Sequence, residues 1–395
     1  MPRAVFLRNK KIVFLFGIFA VFALGTLYVV APSNLGELTI DKCKNVTQGQ
    51  EQCWEDLMGE LMNRGGIAAA LDTFAHLADT YEPFSGVCHS ILHATGGEAY
   101  KQFVRGEDFI ATPTSAYCDY GFYHGFMETL VSLKGGPKVA REFCAYIDQQ
   151  LADVTPEVPL QCFHGIGHGW TNVHDNPELW GDERAIISRS IEACEGVKDT
   201  WGQLSHCLTG VFHGIANFYV KGDYGLSVNT KDPLWVCREQ PERYRNECYM
   251  SMYGVLRYVT GDNFLQAARF IEDIDEDRYA DSAIMHLAMS RSASVGNEND
   301  YINGITLCQA LEARLRTPCI QGYAFGLFEH NTSGEGHDEP LRFCALAVLS
   351  QEQRRACLEY IFSYLSLWYP SEKVHHICAT AEEQYRELCR SKLRG

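Results

Sequence analysis

A cysteine-led segment that recurs at nearly constant spacing is the feature that most constrains the fold of this chain. The intervals between the copies that begin at Cys118, Cys162, Cys207 and Cys248 are 44, 45 and 41 residues. A period of this size is typical of stacked supersecondary units, each of which buries its apolar face against its neighbours. Further copies begin at Cys88, Cys319 and Cys357, and one that begins at Ala283 has lost its cysteine.

Each copy is usually preceded by another cysteine, and polar stretches such as REQPERYRNE separate the two. The flanking segments carry apolar residues at three- and four-residue intervals, which predicts helices. We therefore expect two antiparallel helices per unit, joined by a short turn and stapled by a disulfide, in a chain that is nearly all helical. Local pairing predicts the bridges Cys43–Cys53, Cys144–Cys162, Cys194–Cys207, Cys237–Cys248, Cys308–Cys319, Cys344–Cys357 and Cys378–Cys389, with Cys88 and Cys118 left over to pair together.

The N-terminus predicts the compartment. Residues 1–11 form a basic cytoplasmic tail, and residues 12–31 are apolar and uncharged, which is enough to cross a bilayer as a signal anchor. A cleaved signal peptide is the alternative, with ALG at 23–25 as its cleavage site, but the apolar run continues beyond it. Residues 32–395 would then lie outside the cytoplasm, in a periplasm, at a cell surface or in a secretory lumen. The cysteine count agrees, because sixteen cysteines after residue 42 are typical of an oxidising compartment.

Charge and composition limit the partners. The net charge of −16 argues against nucleic acid, whose phosphates would be repelled. We expect contact with the membrane through the N-terminal helix, and a protein or a glycan as a further partner. The predicted organisation continues with a linker over 32–50, His-rich α-hairpins over 51–225 and degenerate α-hairpins over 226–395.

The period, the helix pairs and the small residues in CxxGxxxG resemble the tetratricopeptide and Sel1-type families of α-hairpin repeats. This resemblance implies an α-solenoid with a concave face, and no particular activity. Together with the cysteine spacing and the apolar N-terminus, it gives the predicted fold class: an all-α, disulfide-stapled α-hairpin repeat array, an α-solenoid or a toroid, behind an N-terminal transmembrane helix. The His-Gly pairs are also similar to those of lanthionine-cyclase-type toroids. That family's zinc-binding cysteine and histidine motifs are missing, so its activity is not implied.

Glycine recurs at positions +3 and +7, counted from the leading cysteine. Because glycine inside a helix costs roughly 1 kcal/mol relative to alanine, its repetition at one phase indicates close approach between helices. The glycines are Gly121 and Gly125, Gly165 and Gly169, Gly210 and Gly214, and Gly322 and Gly326.

Histidine recurs beside this glycine ridge in the first half of the array. The segments HSILH and HGIGH each place two imidazoles four residues apart on one helix face. The equivalent position +6 holds Gly254, Phe325 and Ser363 in later copies, so packing in this repeat does not require imidazole. The candidate site residues are His89, His93, His124, Glu128, His164, His168 and His213.

Pairs of imidazoles one turn apart, with a carboxylate on an adjacent helix, suit a divalent transition metal such as Zn, Fe or Cu. Two alternatives stay open at this point: buried histidines that only organise packing through hydrogen bonds, and a sugar- or peptide-binding surface. The sequence therefore predicts a membrane-anchored, metal-binding ectodomain, for which a metal-dependent oxygenase or hydrolase is one interpretation. The competing hypothesis is a non-catalytic scaffold that binds a protein or glycan on its concave face.

Overall fold

A computed structural model describes residues 40–46, 49–85, 87–107, 110–151, 157–292, 297–329 and 337–392. The chain divides into two compact units, Met1–Asn45 and Val46–Gly395, and every helix numbered below lies in the second.

The described residues form helices and no strand, which confirms the all-helical prediction. The predicted anchor at 12–31 lies outside the described residues. Among the helices that are described, none combines the length and the apolar character needed to cross a membrane.

The continuous helices vary from one turn to about six turns, and the first helix is interrupted at Gly66, whose φ of 79° is not helical. They are α1 (Gln50–Thr80), α2 (Glu82–Ser85), α3 (Cys88–Val104), α4 (Tyr117–Ser132), α5 (Pro137–Leu151), α6 (Glu157–Thr171), α7 (Glu183–Val197), α8 (Trp201–Lys221), α9 (Trp235–Arg238), α10 (Glu242–Ser251), α11 (Tyr253–Val259), α12 (Phe264–Glu272), α13 (Asp277–Ser292), α14 (Glu298–Gln309), α15 (Ala313–Glu329), α16 (Asp338–Ala345), α17 (Gln351–Trp368), α18 (Ser371–Thr380) and α19 (Glu383–Lys392).

Seven of the described helices carry the leading cysteines, and they pack in chain order together with α13, which carries Ala283, and α19, which carries Cys389. Each of them contacts the next, and we call them the stacked series: α3, α4, α6, α8, α10, α13, α15, α17 and α19. Most of the intervening helices pack on their neighbours in this series, as α5 does on α6 and α7 does on α8. The chain therefore has a repeat-like helical architecture, as the period predicts. The predicted division at residue 225 stays a prediction.

Seven local disulfides staple this arrangement. Six join an intervening helix to the stacked helix that follows it, and the seventh, Cys88–Cys118, joins α3 directly to α4. Cys43 and Cys53 are each disulfide-bonded as well, and none of the described cysteines is a free thiol. This degree of oxidation indicates an extracytoplasmic environment. The other six bridges are Cys144–Cys162, Cys194–Cys207, Cys237–Cys248, Cys308–Cys319, Cys344–Cys357 and Cys378–Cys389, as predicted.

The glycine ridge lies where stacked helices come closest. A Cβ atom at Gly121 would lie 2.5 Å from the carbonyl oxygen of His89, and one at Gly169 would lie 2.8 Å from the carbonyl carbon of Met127. Cβ atoms at Gly125 and Gly210 would collide with the carbonyl oxygens of the residues opposite them. The close-approach prediction is confirmed, and this approach is what brings side chains from successive helices within contact distance.

Candidate metal centre

The seven predicted site residues converge, although they come from four separate helices. α3 contributes His89 and His93, α4 contributes His124 and Glu128, α6 contributes His164 and His168, and α8 contributes His213. The His124 ring stacks on that of His168 with centroids 4.4 Å apart, and it lies 5.1 Å from the rings of both His89 and His164. The His213 ring is 5.7 Å from His164. His124 is therefore the centre of the cluster.

Three of these residues form the tightest group. His89, His93 and His124 each offer a ring nitrogen, and these nitrogens all lie within 4.8 Å of one another. The ring centroids are separated by 4.7, 5.1 and 5.5 Å. With metal–nitrogen bonds of about 2.0–2.1 Å, two imidazoles on one tetrahedral ion have centroids about 5 Å apart. The three rings are thus spaced as ligands of a single ion would be.

Hydrogen bonds on the far side of two rings fix which nitrogen carries the proton. His89 Nδ1 lies 2.9 Å from the carbonyl oxygen of Cys118, and His93 Nδ1 lies 3.2 Å from Glu128 Oε2. Because a carbonyl and a carboxylate only accept hydrogen bonds, both Nδ1 atoms donate. In the neutral rings, both Nε2 atoms therefore carry lone pairs, and these two atoms lie 3.0 Å apart.

His124 supplies a third nitrogen that nothing else in the described chain uses. The residue is 1% exposed, and neither of its ring nitrogens has a hydrogen-bond partner. Burial, reinforced by the neighbouring imidazoles of His168 and His164, holds its pKa well below the usual value. The ring is neutral at physiological pH and can act as a metal ligand.

Glu128 lies behind the three-nitrogen group, which differs from its predicted place as a ligand. Its Oε2 accepts from His93 Nδ1, and its Oε1 lies 3.4 Å from Nδ1 of His168. Burial raises the pKa of Glu128, but the neighbouring imidazoles of His168 and His93 outweigh burial, so the pKa lies well below its usual range. The ionised carboxylate orients His93, in the carboxylate–histidine arrangement that commonly supports metal ligands.

His168 is held on both sides of its ring. Nδ1 faces Glu128, and Nε2 lies 3.4 Å from the side-chain nitrogen of Asn217 on α8. The amide nitrogen can only donate, so Nε2 of His168 accepts. The structure thus places His168 as a partner of Glu128 and as a stacking surface for His124, and its lone pair points at an amide.

The remaining two histidines, His164 and His213, lie on the far side of His124. His164 Nδ1 is 3.1 Å from Thr209 Oγ1. Burial, with His213 as the next contribution, places the pKa of His164 well below its usual value. Burial, reinforced by His168 and His89, lowers the pKa of His213 to about 3. Both rings are neutral at physiological pH.

Local sequence places α8 so that Thr209, His213 and Asn217 share one face. Thr200 begins the helix with a capping box, in which its hydroxyl accepts from the backbone of Gln203 and the Gln203 side chain accepts from the backbone of Thr200. Gly222, at a φ of 73°, ends it in the left-handed conformation that favours glycine. Thr209 was not among the predicted site residues, because a threonine at position +2 does not by itself indicate a metal site.

Solvent reaches one side of the cluster. The side chains of His93 and Glu128 are 24% and 27% exposed, whereas His124 and His168 are buried. An ion held by the three histidines would have an open coordination position on the side from which solvent enters. Three protein ligands with such an opening are typical of catalytic rather than structural metal sites.

The other histidines on the stacked helices, among the described residues, hydrogen-bond to the backbone of their own helix. Nδ1 of His286, which is half-buried on α13, lies 2.8 Å from the carbonyl oxygen of Ser282 in the same helix. His206, at the start of α8, lies 2.9 Å from the carbonyl oxygen of Gly202. The packing alternative therefore describes these residues well, and it does not describe His124.

No protein-family model, curated protein or solved structure matches the chain. Its function has to be argued from the geometry of the cluster.

Proposed function

We propose that the chain is an extracytoplasmic helical-repeat protein that binds a divalent transition metal through His89, His93 and His124. The observation that carries this proposal is the distance of 3.0 Å between the Nε2 atoms of His89 and His93, both of which carry lone pairs when the rings are neutral. Two lone pairs at this distance repel each other, whereas ligands at neighbouring positions on one ion lie about 2.9–3.4 Å apart for bonds of about 2.0–2.1 Å.

The ligand set favours Zn, Fe or Cu. Neutral imidazole is a common ligand for all three ions, whereas Mg and Ca prefer oxygen. Glu128 supports the set from behind, so the ion would carry little compensating protein charge. A metal-bound water at the open position would then be acidified, which is the chemistry a hydrolase needs. The same open position would suit an oxygenase, so the proposal includes both a hydrolase and an oxygenase.

The proposal includes the surroundings of the site. We place the stacked series in an α-solenoid or toroid tethered to the membrane by residues 12–31, with the N-terminus in the cytoplasm. Its partner would be a protein or a glycan. The disulfides and the repeat-like helix packing support this placement, and the apolar sequence of 12–31 supports the tether.

Elemental analysis of the purified full-length chain after dialysis against Zn²⁺ tests the metal site. Because His124 is buried, we choose His124→Gln, which keeps a polar side chain of similar size, and add His93→Gln at a partly exposed position. Both variants should lose the ion that His89, His93 and His124 bind. His286→Gln is the matched control, since His286 also lies on a stacked helix but hydrogen-bonds to the backbone of Ser282 in that helix.

The competing scaffold hypothesis predicts a different pattern. If the wild-type chain holds no stoichiometric metal, and if His124→Gln folds and still binds its partner, the metal proposal is wrong. Circular dichroism and thermal melting of each variant would show that loss of the ion is not loss of the fold.

A further inference from the structure

Two of the predicted residues, His164 and His213, are not needed by the three-histidine group and have no other evident role. They lie on neighbouring helices, α6 and α8, with ring centroids 5.7 Å apart. This separation is close to the 5.5 Å between His93 and His124 in the first group. The pair lies beyond His124, whose ring stacks on His164.

The tautomer of His164 is fixed by a relay of hydrogen bonds. Thr209 donates its only hydroxyl proton to the carbonyl oxygen of His206, 2.8 Å away. The hydroxyl oxygen can therefore only accept from His164 Nδ1, 3.1 Å away. In the neutral ring, Nε2 of His164 then carries a lone pair, just as in His89 and His93. Thr209 accepts a hydrogen bond from Nδ1 of His164, as Glu128 does from Nδ1 of His93, and each acceptor thereby fixes the tautomer of its histidine.

His213 has ring nitrogens that the described part of the chain leaves unused. Its only ring neighbours there are His164, His168 and Tyr253, the last with its centroid 6.0 Å away. The residue is partly exposed, so solvent can complete the coordination of an ion at this position. No packing role requires an imidazole here, because the later copies place glycine, phenylalanine or serine at the equivalent position.

We propose that His164 and His213 form a second binding site for a divalent transition metal, on the other side of His124 from the first. Solvent would supply the remaining ligands. This inference deepens the proposed function, because it divides one histidine cluster into two adjacent ion sites. The second ion should bind more weakly than the first, since it has two protein ligands instead of three and no carboxylate behind them.

Zn²⁺ titration of the full-length chain, with the bound ions counted by elemental analysis, tests the second site. The wild-type chain should bind two ions in two steps. His213→Gln should bind one ion, with the affinity of the first step little changed. Thr209→Val removes the acceptor for His164 Nδ1, and loss of such an outer partner typically weakens binding about 10- to 100-fold. That loss should fall on the second step alone. His286→Gln, again the control, should bind two ions.

The outcomes separate this inference from the proposed function. One ion in the wild-type chain, retained by His213→Gln, would overturn the second site and leave the first intact. Two ions in His213→Gln would also overturn it, because the second ion would then lie elsewhere. No ion at all would overturn both. Should His213→Gln melt at a much lower temperature than the wild type, Thr209→Val still decides, because it leaves both imidazoles in place.

Discussion

Replacing Glu128 by glutamine is the sharpest single test of how the first site is built. The carboxylate accepts from His93 Nδ1 at 3.2 Å and faces His168 Nδ1 at 3.4 Å. A glutamine keeps the shape but removes the charge, and only one of its two terminal atoms can accept. Either His93 or His168 then faces an NH₂ group. Removal of such an outer partner weakens metal binding about 10- to 100-fold, which corresponds to about 1.4–2.7 kcal/mol.

The assay is competition for Zn²⁺ between the full-length chain and a chromophoric chelator. Glu98→Gln is the matched control, because Glu98 is a carboxylate on α3 that pairs with Lys101 at 3.0 Å. Equal affinities for the two variants would show that the carboxylate behind His93 does not support the site. Complete loss of the ion, as expected for His124→Gln, would also refute the reasoning, because Glu128 would then be a ligand itself.

Three further predictions concern stability and location. The pKa of His213 is about 3 in the folded, metal-free chain, whereas a histidine in the unfolded chain has a pKa of about 6.5. Between these two values the unfolded state binds a proton at His213 and the folded state does not. The free energy of unfolding should therefore be undiminished above about pH 6.5. It should fall by about 1.4 kcal/mol per pH unit for this imidazole as the pH drops towards 3, which urea denaturation can measure. A flat profile would contradict this. Gly125→Ala should lower both the melting temperature and the Zn²⁺ affinity, because the added Cβ would collide with the backbone of His93. Gly196→Ala is the control: its added Cβ faces open space, and the substitution should stabilise the fold by up to about 1 kcal/mol. The full-length chain should remain with membranes after an alkaline carbonate wash, and its release would contradict the anchor at 12–31.

The disulfides and the convergence of the histidines could be predicted because both follow from the repeat. When side chains occupy one phase of successive stacked helices, they meet in space, as His124, His168 and His213 do. The bridges were predictable because each partner lies in the adjacent helix. Cys88–Cys118 followed by elimination, and it is the one bridge between two stacked helices.

The roles within the cluster could not be predicted, because they depend on which ring nitrogen faces which neighbour. Glu128 shares a helix face with His124, and the sequence analysis made it a ligand, but the carboxylate reaches the far nitrogen of His93. The copy from Cys88 also carries its histidine at +5 instead of +6. This shift rotates the histidine of that copy by about 100° around the helix axis relative to position +6. Glu98 is at the position equivalent to Glu128, but because of the shift it pairs with Lys101 and not with a histidine.

The short range of the disulfides determines how this protein responds to being pulled. The seven described bridges span 11 to 30 residues each. Under tension from its two ends, the chain can extend between bridges, but the residues inside each covalent loop are withheld from the extension. Successive hairpins can part while every loop stays closed. The histidine cluster draws on four helices, so it would be lost as soon as the first of these neighbours separated, long before the backbone was drawn out straight.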